Sequence, residues 1–346
     1  MKKIVVAILV LALAASAVFA QASQEAQGAK KVNYPTKPIT MIIPYGAGGT
    51  TDVSGRKFAA VLQKVIGQPV TVQNMAGASG SIGCKFVKDA NPDGYTVLFH
   101  AESLGTQRVA GLSDLSYADF TPIMPVVNDP KVIVVAKNSK YNTLQDLLDD
   151  MKANPGKVKM SYTGPGGSGH VQGIIMEKLG YVPALTAYKS GSDCFLAVLS
   201  GEVDFTNSNF ATVVGYIASG DLKLLAVSSD QHLVKYPEVP IFEEVDPAAA
   251  PYMKNAFTPL NFLVSNSVDP AIVEVLRDAA KKVVETDEWK QFVADNCLEP
   301  LYEKYTTPEA TQQFYTEWTS LVSWLLYDAG AVKNSPEQFG IARPAN

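Results

Sequence analysis

Short apolar runs alternate with amphipathic segments in the first third of the chain. Between positions 51 and 66, apolar residues recur at helical spacing, which predicts a helix with one face packed on a core. These residues are Val53, Phe58, Val61, Leu62 and Val65. The pattern as a whole predicts strands at 39–44, 70–73 and 96–100 and helices at 51–66 and 81–90. This order indicates an α/β layer with a mostly parallel sheet.

A second series of strands and helices begins near Lys131, and Thr143 is placed to cap one of its helices. The predicted strands lie at 132–136, 158–162, 186–188, 203–205 and 222–227, and the helices at 143–154, 171–179, 193–200 and 213–219. Five prolines between positions 237 and 259 then indicate an irregular crossing. A strand at 261–264 and two long amphipathic helices at 270–285 and 308–326 complete the chain.

Two α/β series with a return to the first predict two domains joined by a hinge. Lobe 1 is expected at 32–128 plus 230–346 and lobe 2 at 129–229, with crossings near 126–132 and 226–230. Such an arrangement leaves a cleft between the lobes, and ligands usually bind in clefts of this kind.

The N-terminal residues have the three parts of a secretory signal peptide. Lys2 and Lys3 precede an apolar run at 4–17, and small residues around Ala20 suit a signal peptidase. The run is shorter than the ~20 residues that a membrane span needs. We therefore expect a signal peptide at 1–20 that is cleaved near Ala20, a flexible leader at 21–31 and a protein free in the periplasm.

The charge and the composition exclude several function classes. The net charge is −5, and it becomes −7 when Lys2 and Lys3 leave with the signal peptide, which argues against binding to nucleic acid. The three cysteines and three histidines show no metal-ligand spacing. We expect no metal and no cofactor.

Three glycine clusters follow predicted strands and precede predicted helices, at 44–52, 77–83 and 164–170. Glycine lets a ligand approach the backbone closely, and the first N–H groups of a helix form an anion site. None of the four arginines lies inside a cluster. Backbone amides and hydroxyls should therefore hold an anionic ligand, although a neutral polar ligand would suit the same groups. The candidate hydroxyls are those of Thr50, Ser79, Thr163 and Ser168.

Two enzymatic interpretations compete with simple binding. The third cluster fits the dinucleotide pattern GxGxxG, but Pro165 and the position of the next acidic residue argue against it. Ser168 and His170 lie close enough to suggest a secreted hydrolase, but the GxSxG nucleophile motif is missing. We expect His170 to pack at a helix start, and Asp52 to cap its helix rather than act as a base.

Taken together, these loops resemble those of the substrate-binding receptors of tripartite tricarboxylate transporters, the Bug family. The resemblance covers nearly the whole chain after the leader. It rests on YPTKPI (34–39), IIPYGAGGTTD (42–52), IGQPVTVQNMAGASGSIG (66–83), NPDGYTVLF (91–99), SYTGPGGSGH (161–170), YKSGSD (188–193), GEVDF (201–205) and YPEVPIFEE (236–244). It implies a two-lobed periplasmic-binding-protein fold of type II topology. It also implies a receptor without catalytic activity that delivers a small carboxylate to a membrane permease.

The resemblance places specific residues at the ligand. From lobe 1 it implies Tyr45, Gly48, Gly49, Ala78, Ser79 and Gly80, and from lobe 2 Thr163, Ser168, His170, Asp204 and Asn207. Ser103 belongs to a variable loop that helps to set ligand choice in the family. Glu102 in that loop could reject a second ligand carboxylate or accept an ammonium group, or it could be a solvated acid. We expect a monomer that binds a small organic acid and a permease, with a sensory role as a further alternative.

Overall fold

The computed structural model describes residues 32–253 and 258–344. The predicted signal peptide and leader, at 1–31, lie outside the described residues. The strands are β1 (Ile39–Ile43), β2 (Val70–Asn74), β3 (Thr96–His100), β4 (Phe120–Asp129), β5 (Lys131–Ala136), β6 (Lys159–Tyr162), β7 (Ala184–Ala187), β8 (Phe205–Asn209), β9 (Leu222–Ser228), β10 (Thr258–Ser265) and β11 (Glu299–Pro300).

Helices follow most of these strands. They are α1 (Thr50–Ile66), α2 (Ser81–Asp89), α3 (Leu144–Ala153), α4 (Ser168–Lys178), α5 (Gly191–Leu199), α6 (Phe210–Ala218), α7 (Phe242–Val245), α8 (Ala250–Met253), α9 (Pro270–Glu285), α10 (Asp287–Asp295), α11 (Leu301–Lys304) and α12 (Pro308–Asp328). Within 32–253 and 258–344, no helix combines the length and the apolar character that a bilayer crossing requires.

The strands form two sheets, and each sheet is mixed. The first sheet has the order β11-β4-β10-β3-β1-β2, and the second has the order β7-β6-β8-β5-β9. In the first, β1 runs parallel to β2 and β3, whereas β10 runs antiparallel to β3 and β4. In the second, β6 runs parallel to β7 and β8, whereas β5 runs antiparallel to β8 and β9. The parallel pairing predicted for the first three strands is confirmed. Strands β4, β10 and β11 add antiparallel pairs that make the whole sheet mixed, because an apolar run indicates burial but not strand direction.

The chain passes between the sheets at two points. It leaves the first sheet at Asp129 and enters the second at Lys131, so Pro130 marks one crossing. It leaves the second sheet at Ser228 and returns to the first at β10. These points lie within the expected crossing segments, while the bounds of the two lobes remain predictions.

An aromatic cluster fixes α1 on the first sheet. Phe58 of α1 is fully buried, and its ring centroid lies 5.6 Å from that of Phe99, 5.3 Å from that of Phe262 and 5.4 Å from that of Trp289. Aromatic pairs at such distances add to the burial of apolar surface. The packing holds α1 rigidly, and with it the loop that leads into the helix.

Candidate functional site

The first glycine loop joins β1 to α1, and a hydrogen bond to Asp52 fixes it to the helix. Gly48 has a positive φ of 78°, and its N–H donates to Asp52 Oδ2 at 2.9 Å. Arg56 Nε and Asn74 Nδ2 donate to the other carboxylate oxygen at 2.9 and 2.8 Å. Burial alone would raise the pKa of Asp52, but these hydrogen bonds lower it below its ordinary value. Asp52 is thus ionised and holds the loop from the first turn of α1, a structural role as expected.

The second glycine loop, between β2 and α2, carries four consecutive positive φ angles. The values are 140° at Gly77, 44° at Ala78, 48° at Ser79 and 93° at Gly80. A left-handed conformation costs a residue with a side chain roughly 1–2 kcal/mol, so surrounding contacts must hold this one. Strain of this kind concentrates at functional sites.

The contacts that hold the second loop come from the segment after β3. Ser103 Oγ and Gln107 Nε2 donate to the carbonyl of Ser79 at 2.7 and 3.0 Å. The Tyr45 hydroxyl lies 2.7 Å from Ser103 Oγ and 3.2 Å from His100 Nε2. Burial lowers the pKa of His100 to about 3, so this ring is neutral. Tyr45 and Ser103 therefore connect the first and second loops in one hydrogen-bonded group.

The third glycine loop leads from β6 into α4. His170 Nδ1 accepts a hydrogen bond from the Gly166 N–H at 3.1 Å, and its ring stacks on Tyr162 with centroids 5.2 Å apart. Burial lowers the pKa of His170, which suits a neutral acceptor. His170 thus supports the loop from behind, which agrees with the packing interpretation, and it is not among the residues that line the cavity between the loops, where the resemblance placed it.

A small cavity of about 50 Å³ lies between the loops of the two sheets. One side is formed by Tyr45, Gly49, Thr50, Ser79, Glu102, Ser103 and Thr258, and the other by Thr163, Ser168, Lys189, Gly191 and Asn209. The first turns of α1, α4, α5 and α6 all reach it, because Thr50, Ser168, Gly191 and Asn209 begin or cap those helices. Four converging helix N-termini favour negative charge in the cavity.

The two sides of the cavity touch one another directly. Ser79 Oγ donates to the Pro165 carbonyl at 2.9 Å, and Thr106 Oγ1 donates to the Gly166 carbonyl at 2.7 Å. On the opposite rim, Ser192 Oγ donates to the Ala47 carbonyl at 3.0 Å. Three hydrogen bonds thus join the two sides of the cavity.

The structure gathers seven of the predicted residues around this cavity: Tyr45, Gly49, Thr50, Ser79, Ser103, Thr163 and Ser168. Ala78 and Gly80 line an adjoining cavity of about 470 Å³ beside the same loops. Gly48 forms the turn of the first loop without lining either space. His170 lies behind the third loop.

Asp204 and Asn207 are not brought into the cavity. Asp204 precedes β8, at the opposite edge from the loops, and its Oδ2 accepts from the Lys159 N–H at 2.8 Å. Asn207 is buried within β8, where its Nδ2 donates to Gln172 Oε1 and Ser228 Oγ, both at 2.9 Å. The prediction placed the end of this strand at Phe205, whereas β8 extends to Asn209. Asn209, at the end of β8, lines the cavity instead.

Several cavity residues were not predicted. Thr258 opens β10 after the proline-rich crossing, and Lys189 precedes the cap of α5. Glu102 was considered as a solvated acid, but it is only 4% exposed and lines the cavity. Its position directly after a strand, in the loop that follows β3, was the available signal. Among the described residues, no group of three or more His, Cys, Asp or Glu side chains could hold a metal ion.

The two sheets, with glycine loops that enclose a cavity between them, define a two-lobed α/β solute-binding protein. The model of the tripartite tricarboxylate transporter family receptor matches residues 55–320, and the chain belongs to this family of periplasmic receptors.

Individual relatives show the same likeness. The chain is 28% identical to Protein BugT of Bordetella pertussis over 306 residues, which is 86% of this chain and 91% of BugT. The structure of the periplasmic binding protein BugD is similar with a TM-score of 0.79 and 25% identity, over 87% of this chain and 100% of BugD. MatC from Rhodopseudomonas palustris with bound malate shares the fold, with a TM-score of 0.77 and 20% identity over 85% of this chain and 100% of MatC.

Proposed function

We propose that this receptor captures a small organic acid in the cavity between its sheets and delivers it to the membrane permease of a tripartite transporter. It acts in the periplasm as a monomer, after cleavage of the signal peptide near Ala20. It needs no cofactor and catalyses no reaction.

The observation that carries this proposal is the convergence of backbone donors. Four helix N-termini and the strained second loop surround one small cavity. No arginine is among the described residues that line it. Main-chain N–H groups of this kind bind carboxylates without a guanidinium partner. The malate bound to the similar MatC structure is a small carboxylate of the expected class.

Ligand capture proceeds by closure of the two lobes. The hydrogen bonds from Ser79, Thr106 and Ser192 join the two sides of the cavity in this structure, and they would break if the lobes opened. A ligand that binds the closed form more tightly than the open form increases the population of the closed form, because only a difference in affinity can shift this equilibrium. The closed receptor then docks on the permease.

A hydrolase is not favoured by the geometry around Ser168. Its Oγ accepts a hydrogen bond from Thr258 Oγ1 at 3.0 Å. The Nδ1 atom of His170, the neighbouring histidine, is engaged with Gly166. A serine nucleophile needs a base within hydrogen-bond reach, and neither contact supplies one. A sensory role has no specific observation in its favour.

The test is a thermal-shift screen of residues 21–346 against mono-, di- and tricarboxylates, amino acids and aromatic acids. A ligand at one hundred times its dissociation constant adds about 2.7 kcal/mol to stability, which raises the melting midpoint by several degrees. A shift with one class supports the proposal. If no compound shifts the midpoint, and mass spectrometry of the denatured protein finds no co-purified acid, the proposal is contradicted.

A further inference from the structure

The carboxylate of Glu102 occupies the N-terminus of α4. Glu102 is 4% exposed, and its Oε1 accepts a hydrogen bond from the Ser168 N–H at 2.5 Å. The first N–H groups of this eleven-residue helix are where an anionic ligand group would otherwise bind. The chain therefore fills one of its own anion sites with a side chain.

The second oxygen of this carboxylate has no partner. Glu102 Oε2 is buried, and no hydrogen-bond donor reaches it among the described residues. A buried acceptor without a partner destabilises the protein by roughly 1–3 kcal/mol, and more when the group is charged. Because Glu102 lines the cavity, a bound ligand is the group best placed to supply the missing donor.

Glu102 makes no direct ion pair with any residue that the structure describes. Lys131, a buried cation that interacts electrostatically with Glu102 and Asp129, is 3% exposed and donates through Nζ to Asn209 Oδ1 at 2.9 Å. Asp129 is fully buried beside the same crossing. Lys189 lines the cavity on the loop that precedes α5, but the atom that approaches the first glycine loop at Gly46 is its backbone carbonyl oxygen.

A ligand group next to Glu102 is thus selected by charge. A second carboxylate would meet a like charge in a site of low dielectric constant, which is strongly unfavourable. An ammonium group would both donate to Oε2 and offset the charge of Glu102. The Glu102 carboxylate can therefore reject a ligand carboxylate and accept a ligand ammonium group, which are two of the roles considered for it from the sequence.

We propose that Glu102 binds the ammonium group of a zwitterionic ligand whose carboxylate lies against the first and second glycine loops. The receptor accordingly prefers short amino acids to dicarboxylates of the same length. This inference rests on the proposed function, since it assigns the ligand class of the same cavity.

The test uses pairs of ligands that differ only in the group facing Glu102. Glycine is compared with malonate, β-alanine with succinate, and 4-aminobutyrate with glutarate, and acetate, propionate and butyrate lack the second group. Titration calorimetry on the intact receptor should show at least tenfold tighter binding of the amino acid in the best pair. This comparison needs no variant.

The variant Glu102→Gln removes the charge and keeps the shape. It should weaken the preferred amino acid at least tenfold and leave the dicarboxylates unchanged or bound more tightly. Glu309→Gln makes the same chemical change at the exposed start of α12 and should change neither affinity.

The possible failures are distinguishable. If dicarboxylates bind as tightly as their amino-acid partners, or if folded Glu102→Gln keeps the preference for amino acids, the role of Glu102 is overturned while the receptor function stands. If no acid of the panel binds to either protein, the proposed capture of small organic acids is contradicted together with this inference.

Discussion

The hydroxyl of Ser79 donates a hydrogen bond to the carbonyl of Pro165 at 2.9 Å. The donor belongs to the strained second glycine loop and the acceptor to the third, so this bond spans the cleft. The carbonyl of Ser79 is itself held by Ser103 and Gln107. Ser79 thus has a strained backbone that is held by its own lobe and a hydroxyl that bonds to the other lobe.

Replacement of Ser79 by alanine should weaken ligand binding. A net hydrogen bond contributes about 0.5–1.5 kcal/mol, so Ser79→Ala should raise the dissociation constant roughly 2- to 10-fold. Titration calorimetry with the preferred acid measures this change. Ser219→Ala removes an exposed serine hydroxyl at the end of α6 and should leave the affinity unaltered. Equal affinities of Ser79→Ala and the unmodified protein would show that this bond does not contribute to closure.

Replacement of Gly80 by valine should abolish binding while the protein still folds. Gly80 has a φ of 93°, and an added Cβ would lie 3.3 Å from the ring of Tyr45. The substitution would therefore disturb both the second loop and the cavity wall. Gly48→Val should act in the same direction, since its added Cβ would meet Ser192 at 3.4 Å.

Gly220→Val is the matched control for backbone strain. Gly220 has a φ of 75°, and an added Cβ there would meet no atom within 4 Å. Circular dichroism and calorimetry should show that this variant folds and binds normally. If Gly80→Val and Gly48→Val both bind the ligand with unchanged affinity, the glycine loops are not part of the binding site.

The contribution of Asp129 to the stability of the protein should decrease as the pH rises from about 4 to about 7. Burial raises the pKa of Asp129 to about 7, against the hydrogen bonds from Thr50 and the Ala211 N–H. The folded state therefore holds a proton that the unfolded chain releases near pH 4, and ionisation of the buried carboxyl destabilises the fold.

Asp129→Asn removes this ionisation and keeps the shape of the side chain. Urea denaturation should find the variant more stable than the unmodified protein by about 2–4 kcal/mol at pH 8 and nearly equal to it near pH 4. A difference in unfolding free energy that does not change between these pH values would mean that Asp129 does not titrate in this range.

Much of the fold followed from the apolar pattern, and the failures have identifiable causes. The bounds of β3 and α9 agree with prediction, and the predicted cap of α3 is confirmed, because Thr143 Oγ1 accepts from the Asp146 N–H. Strand β4 was missed, because Pro122 and Pro125 argue against a strand. The structure accommodates both prolines where the pairing of β4 with β10 is irregular.

The parts of the candidate site that lie in glycine loops could be predicted from the sequence. The residues that reach the site because of tertiary packing could not. The loops around Gly48 and Ser79 are recognisable because left-handed backbone favours glycine. Strand β8 is a polar sequence in a buried position, so its end was placed four residues early and Asn209 was overlooked. The burial of Glu102 depends on contact with Ser168, 66 positions away along the chain, and no local pattern reports it.

The last prediction separates a receptor from a hydrolase at Ser168. If the protein only binds its ligand, Ser168→Ala should remove the hydroxyl that Thr258 donates to and weaken binding roughly 2- to 10-fold. The unmodified protein and Ser168→Ala should then hydrolyse p-nitrophenyl acetate at the same background rate, since no base reaches Ser168 Oγ in the geometry described. Spectrophotometric release of nitrophenol measures the rate, and His170→Gln provides a second variant that keeps an acceptor toward Gly166. If the unmodified protein hydrolyses the ester above the background rate and both variants lose this activity, Ser168 would be the nucleophile and His170 the base. The cavity would then be a catalytic site and the protein a hydrolase.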